Sequence, residues 1–550
     1  VILTLLAILI AALAVLGLVT GLLPRIAVTA AVAGICVLIV ALAVLASGTG
    51  ATTLAVPIGP PGARMHLALD PLAASFLLLL FVVMPCAETA PLPLAATAVT
   101  VLAGDGFTMA VGLLLVGGVN SLRITAAAAV CLIAAFALAG PLGEFAALRA
   151  MPPEGWSAAG VLLLVLVGAG AMSRVSPVIA GYLVLRILFD LCGDGQPMWW
   201  GAPLLLTGAL IAAIGSLRAA LAETLHTVAC RGSLQLFGTA AMALGVALLA
   251  RAADLPSVTS LALEAAWLAL VGHLLCRTLL LRCAGAAAVG AGTRRLDCLG
   301  GLIHRMPVTT GSCLVGLFAV AVLPPGLGFA AFWLLFQSLL AAARIGDPGL
   351  QGLIVGAAAL AAVSVGLAAL AEVRLFGVVF LGVPRTPRAA VADEAPRAVR
   401  CVLVGLAAVT ALLGLLPGLA LLPAAGWTRA TDSMALLILH TGAETPGYSP
   451  VAVAGLLLVA GIAAMWISRR TGIQRREPVW SGGFAAPPSW LPFGDPATQY
   501  GPVSFSDALR RVVALPRAFG TIKRRLCHGR DVVLRIATAM VAPQRDRVRD

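Results

Sequence analysis

The chain is a succession of long apolar stretches, each closed by a short break rich in Pro, Gly or Arg. The stretches run about 16–24 residues, which suits helices crossing a hydrocarbon layer; barrel strands would be nearer 10 residues and would alternate in polarity. They predict helices over 1–23 and 26–46, parted by Pro24-Arg25. A Gly/Pro-rich extramembrane stretch, Ser47 to Arg64, precedes predicted helices over 69–85, 90–103, 106–122 and 124–147. Beyond the polar segment Arg149 to Ser157 come 158–172, 176–192, 201–222, 232–252 and 258–283. The segment Gly290 to Met306 carries Arg294, Arg295, Asp297, His304 and Arg305 and reads as a loop with a short amphipathic piece. Helices resume over 309–323, 328–344, 350–382 (long enough to be broken or doubled), 400–422, 432–441 and 449–468. The pattern describes an all-α polytopic membrane protein with about fourteen transmembrane helices.

Composition requires the same solvent. Hydrophobic residues make up 61% of the 550, charged residues 11%, and the mean hydropathy is +1.05. Soluble domains carry about 25% charged residues, so this chain could not cover its surface in water. In lipid, every backbone polar group must be satisfied within the helix or a closed sheet. Aromatics are only 5%, leaving Ala, Leu, Val and Gly to build an interior of closely approaching helices. The first stretch, from Val1-Ile2-Leu3-Thr4, has no basic leader and no small-residue cleavage site; it reads as a membrane helix, not a signal peptide.

The net charge of +13 gathers toward the end of the chain, where Arg510, Arg511, Arg517, Arg524, Arg525, Arg530 and Arg535 interleave with Val512, Val513, Leu515, Ile522 and Leu526. This is the pattern of an interfacial amphipathic helix, and basic segments favour the cytoplasmic face. Residues 1–470 therefore read as a transmembrane helical domain and 471–550 as a basic amphipathic tail on the cytoplasmic side. The charge follows membrane topology, and with no aromatic platform beside it no nucleic-acid partner is expected. The 11 cysteines are scattered without a CxxC pair or zinc spacing; Cys36, Cys131, Cys230 and Cys276 read as small buried hydrophobes. Gly104-Asp105-Gly106 and Gly117-Gly118 lie beside membrane helices, not after a strand, so no nucleotide site is indicated. No cofactor and no catalytic centre is expected on this chain.

Ionisable residues within apolar runs are costly, and each is a candidate functional group. Glu264, His273 and Arg277 share one predicted helix, with His273 and Arg277 four apart on one face and Glu264 two and a half turns earlier. His226 falls at the end of the 201–222 helix or in the following turn, and Glu372 and Arg374 lie late in the 350–382 stretch. Arg186 and Asp190, four apart, suit an internal ion pair. These groups could form a polar chain for proton or cation movement. Equally, they could be paired or snorkelling charges that orient helices.

Several stretches, in order, resemble the large antiporter-like membrane subunits of complex I and group 4 hydrogenases, in the branch of hydrogenase-4 component B and formate hydrogenlyase subunit 3. Met65 to Leu77, with Leu69-Asp70-Pro71, resembles the entry to the family's third helix. Trp199-Trp200-Gly201, followed by Gly208 and Gly215-Ser216-Leu217, is similar to the start of its eighth. Leu296 to Pro307 fits its L-x-x-L-G-G-L-x-x-x-M-P loop, Leu323-Pro324-Pro325 with Gly328-Phe329 its helix break, and Phe376 to Gly382 the segment after its twelfth helix. Trp480-Ser481-Gly482-Gly483-Phe484 and Gln499-Tyr500 resemble elements of the branch's tail. The resemblance covers roughly residues 60–390 and 470–515, and implies an antiporter-like fold with broken helices.

The resemblance also implies what the conducting groups should be: a glutamate on the family's fifth helix, lysines on its seventh and eighth, and a lysine or glutamate on its twelfth. Here the fifth-helix glutamate falls on Leu114, and the seventh-helix lysine falls near Gly170. The element that should follow is absent where Ala171-Met172-Ser173-Arg174 runs into the next helix. The remaining lysines fall on His226, on Arg277 of the retained His273/Arg277 pair, and on Arg374. Lysine can release a proton when burial lowers its pKa, whereas arginine stays charged in any protein site. Arg277 and Arg374 can hold charge but cannot relay; His226, His273, Glu264 and Glu372 can titrate. Two functions remain open on the sequence. One is a membrane subunit of a complex I-like or hydrogenase-4-like assembly that translocates protons or cations, coupled to electron transfer in partner subunits. The other is a non-conducting anchor for such an assembly or for another enzyme complex. Either implies the lipid bilayer and other membrane and peripheral subunits as partners, in a bacterial inner membrane.

Overall fold

A computed structural model describes residues 2–19, 32–36, 39–40, 52–57, 65–83, 91–139, 155–192, 196–428, 437–440 and 447–471, and singly 86, 145, 149, 501, 506, 507 and 509. It divides into residues 1–499 and residues 500–550. The expected tail helix lies outside the described residues, as do most of the two elements expected over 26–46 and 432–441.

After α1 (Ile2–Val19) the chain forms an antiparallel hairpin, β1 (Thr52–Val56) against β2 (Met65–Leu69), with Thr52 opposite Leu69 and Val56 opposite Met65. The hairpin is a small addition to an otherwise helical fold: five residues of Thr/Leu/Val character are too short a strand signal to stand out beside helices this apolar. The hairpin is fastened to the bundle at His66, whose N–H donates to the Asp105 carboxylate at 2.7 Å and whose carbonyl accepts from the Gly104 N–H at 2.8 Å. Asp105 also caps the third helix after the hairpin through the Thr108 N–H at 2.6 Å.

The helices α2 (Pro71–Val83), α3 (Pro91–Leu102), α4 (Gly106–Val116), α5 (Gly118–Ala139) and α6 (Gly155–Met172) follow. Asp70 caps α2 by accepting from the Ala73 N–H at 2.8 Å, so this helix starts one turn-step after the hairpin and not at residue 69. The break expected near 123 falls at Gly117 instead. Helix α7 (Pro177–Val184) runs into a π-helix, Leu185–Leu191, a wider winding often found at functional positions.

The second half holds α8 (Gly201–Ala220), α9 (Leu225–Gly232), α10 (Leu234–Ala252), α11 (Pro256–Ala291), α12 (Pro307–Val320), α13 (Leu327–Ala342), α14 (Pro348–Val379), α15 (Arg397–Leu415) and α16 (Pro450–Thr471). Helix α9 was not expected. Helix α11 runs past residue 283 because nothing interrupts it until Gly292, which ends it at φ +67°. The 350–382 stretch is one unbroken helix, α14. Residues 437–440 are not helical; Leu439 pairs with Tyr448 in an isolated bridge.

Two pairs are the broken helices. Helices α9 and α10 meet at Ser233. Helices α12 and α13 are separated by residues 321–326, a turn so tight that a Cβ on Gly328 would lie 2.0 Å from the Ala319 carbonyl oxygen. Helices α8 and α10 approach backbone to backbone: a Cβ on Gly208 would meet the Met242 nitrogen, and one on Gly238 the Ala212 nitrogen, each at 2.5 Å. Among the described residues, 7 helical segments are long and apolar enough to cross a membrane, and six further apolar helices have 10–17 residues. Helix α16 presents Leu456, Leu458, Val459 and Ile462 outward, more than half exposed each, a surface suited to hydrocarbon and not to water. The chain is a multi-pass membrane protein.

Candidate proton-transfer site

The site grows from the α9–α10 break. Across it the helical hydrogen bonds are stretched: Ser233 N–H to the Ala229 carbonyl and Phe237 N–H to the Ser233 carbonyl both measure 3.4 Å. The Ser233 carbonyl is taken instead by His273 Nδ1 on α11, at 2.6 Å. A carbonyl only accepts, so the proton of this bond sits on Nδ1 and the neutral imidazole keeps a bare Nε2. His273 is 0% exposed, and its Nε2 has no hydrogen-bond partner among the described residues.

Glu372 reaches the same break from α14. It is 2% exposed, and neither carboxyl oxygen has a hydrogen-bond partner among the described residues. Its Oε1 lies against the Gly232 backbone, where a Cβ would come within 2.4 Å. A side chain at 232 would displace this carboxyl from its present position. Cys276 on α11 and Cys313 on α12 stand within its electrostatic reach. Two buried titratable groups thus flank consecutive residues, Gly232 and Ser233, each with polar atoms unmatched by protein. Buried polar atoms in that condition call for ordered water or a transferable proton.

The arginines have other duties. Arg374 is 0% exposed and donates to the carbonyls of Ala219 at 3.2 Å and Ala222 at 2.5 Å, tying α14 to the C-terminal end of α8, where a cation is favoured. Arg277, half-buried, reaches the Cys230 carbonyl of α9 at 3.5 Å. His273 and Arg277 thus face one element, as their spacing required.

The other candidates fall elsewhere. His226 is the second residue of α9 and exposed, with Cys230 Sγ 3.8 Å from its Nδ1; Cys230 itself is half-buried, not a core residue. Glu264 is 2% exposed on α11, but nine residues before His273 place it about 13.5 Å away along the axis and on the opposite face. Leu114 on α4 and Gly170 at the end of α6 belong to other parts of the bundle. The groups brought together at the break are His273, Arg277, Glu372 and Arg374, with His226 at the far end of α9.

A second charged cluster sits where the π-helix meets the hairpin. Arg186, 1% exposed, forms a two-pronged pair with Asp70 at 2.5 and 2.8 Å and a further bond to Asp190 at 2.7 Å. Arg149 closes the group on Asp190 at 2.7 Å. Tyr182 accepts from Arg186 Nε at 2.9 Å and donates to the Val101 carbonyl at 2.6 Å. The Arg186–Asp190 pair matches its spacing in the sequence, whereas Asp70, 116 residues away, offered no local signal of joining it. Asp70 lies in the turn before α2, outside the helices. Burial pushes its carboxyl up, but Arg186, the Ala73 N–H and Arg149 together hold it below the usual carboxylate range.

Residues 153–346 match the NADH:quinone oxidoreductase/Mrp antiporter transmembrane family. Hydrogenase-4 component B of Escherichia coli (strain K12) is 28% identical over 365 residues, 62% of this chain and 52% of that protein. Formate hydrogenlyase subunit 3 of the same organism is 30% identical over 317 residues, 58% of this chain and 52% of that protein. The chain therefore spans about half the length of the curated relatives it matches. In fold it superimposes on a chain of the membrane-bound sulfane sulfur reductase, an archaeal respiratory membrane complex, with a TM-score of 0.74 at 17% identity, covering 96% of this chain and 95% of that one. The chain is similar in sequence to hydrogenase-4 component B and formate hydrogenlyase subunit 3, and in fold to a membrane chain of an archaeal respiratory complex.

Proposed function

We propose that this chain is a membrane subunit of a complex I-like or hydrogenase-4-like assembly and moves protons, or a small cation linked to them, through its interior. The supporting observation is the pair of buried, unsatisfied titratable groups, His273 and Glu372, on either side of the Gly232–Ser233 break. His226 on the exposed end of α9 serves as the mouth, His273 and Glu372 as the stations. Arg277 and Arg374 act as fixed positive charges that bias their occupancy without exchanging a proton. Glu264, buried on the other face of α11, belongs to a separate leg of the path. Electrons move in partner subunits, and the chain itself carries no cofactor. We place residues 1–470 in a bacterial inner membrane, with 471–550 as a tail on its cytoplasmic face, against peripheral subunits.

The alternative, a membrane anchor that does not conduct, is favoured by Leu114 where the resemblance implies a glutamate, and by the short connection from Met172 to Pro177. The two readings part on His273→Ala. In vesicles holding the native assembly, conduction predicts loss of proton uptake with all subunits retained, because the relay loses its Nε2. Unchanged uptake would leave the anchor reading.

A further inference from the structure

Between α6, α7, α8 and α10 runs an open-sided slot of about 510 Å3, within the range of small-molecule sites. Its walls are apolar along most of their length, with Leu204, Val184 and Leu244 at one end. At the other end stand Arg218, in the last turn of α8, and Arg231 on α9, beside Ser173 at the end of α6. Chain direction puts these three at one level: α6 and α8 finish there, and α10 starts there. Both arginines are exposed and make no hydrogen bond or ion pair among the described residues. The slot also adjoins the short connection after Met172.

We propose that this slot binds an anionic phospholipid, with its phosphate between Arg218 and Arg231 and one acyl chain along α8. Three features select that occupant. The slot is charged at one end only, as an anionic lipid is. From Arg218 to Leu204 the helix rises about 21 Å, so the occupant reaches from the membrane surface past the middle of a layer about 30 Å thick. Two unpaired guanidiniums in a basic pocket between membrane helices match a phosphodiester, and their double positive charge favours a net-anionic head over one whose phosphate is offset by an ammonium. The slot opens on the outer face of α8, where Leu206, Leu210 and Ile214 are exposed, and its basic end adjoins the α9–α10 break through Arg231.

The test is lipid retention by the purified full chain, read by native mass spectrometry after exchange into phosphatidylglycerol or phosphatidylcholine. The wild type should retain phosphatidylglycerol on the order of tenfold better, since each basic residue near the surface adds several-fold attraction. Arg218→Gln with Arg231→Gln should erase that preference. Gly170→Leu, at a lining position where a Cβ meets nothing within 4 Å, should fill the slot and reduce retention of both lipids with the arginines intact. Equal retention of both lipids by the wild type would overturn the proposal, as would an unchanged preference in the double variant. So would a neighbouring subunit's helix occupying the slot in the native assembly.

Discussion

Glu372→Gln is expected to reduce proton uptake by vesicles holding the native assembly to the level of empty vesicles, a loss of at least tenfold. The substitution keeps the shape of the side chain and its packing against Gly232, and removes only the capacity to exchange a proton. Its amide would meet the same lack of hydrogen-bond partners that both carboxyl oxygens meet now, at a cost of about 1–3 kcal/mol in stability. That cost is tolerable in the stretch where Ala371, Arg374 and Leu375 are buried beside it, so loss of transport with subunits retained is the diagnostic combination. Glu372→Asp should restore part of the uptake, because it returns the titrating group one methylene short of its place. Retention of full uptake by Glu372→Gln would exclude the carboxyl as a station.

The second large effect concerns stability. Asp70→Ala is expected to destabilise the fold by about 3–5 kcal/mol, the cost of leaving one partner of a buried ion pair without its counter-charge. Arg186 is fully buried, and Asp190 can neutralise it only in part. Asp70→Asn separates two roles: it keeps a capping side chain for α2 while deleting the charge, so about 1 kcal/mol of the total should survive as the cap. Replacing Asp70 and Arg186 together by apolar residues should recover much of the loss, since joint removal avoids the orphaned charge. The pH dependence has one sign. A carboxylate held below its usual value stabilises the fold above the unfolded value, near 3.9, and that contribution fades as pH falls through the lower folded value. Unfolding in detergent, followed by circular dichroism, measures all of these. An Asp70→Ala loss within 1 kcal/mol would show that the cluster is solvated in the membrane.

The membrane architecture was legible because lipid leaves no choice: an apolar run of helical length must become a helix. The shared face of His273 and Arg277 followed from a four-residue spacing, and the opposite face of Glu264 from a nine-residue one. Four features were missed for separate reasons. The β1–β2 hairpin carried too short an alternation. The α9–α10 break lies at Gly232-Ser233, a residue pair that opens helices elsewhere, but no Pro announced it. The exposure of His226 depends on which side of α9 packs, and an eight-residue segment cannot decide that. Asp70 sat inside a stretch that resembles the entry to the family's third helix, yet its partner lay on the π-helix, beyond the reach of any local pattern.

In the proposed relay, protons occupy Glu372 and leave it during turnover. Infrared difference spectroscopy of the assembly under a pH jump reads this directly, through the C=O stretch of a protonated, buried carboxyl. A relay through Glu372 gives a band that appears and disappears with pH, shifts in heavy water and is missing in Glu372→Gln. A carboxyl that stays in one protonation state across the range in which the assembly transports would contradict it.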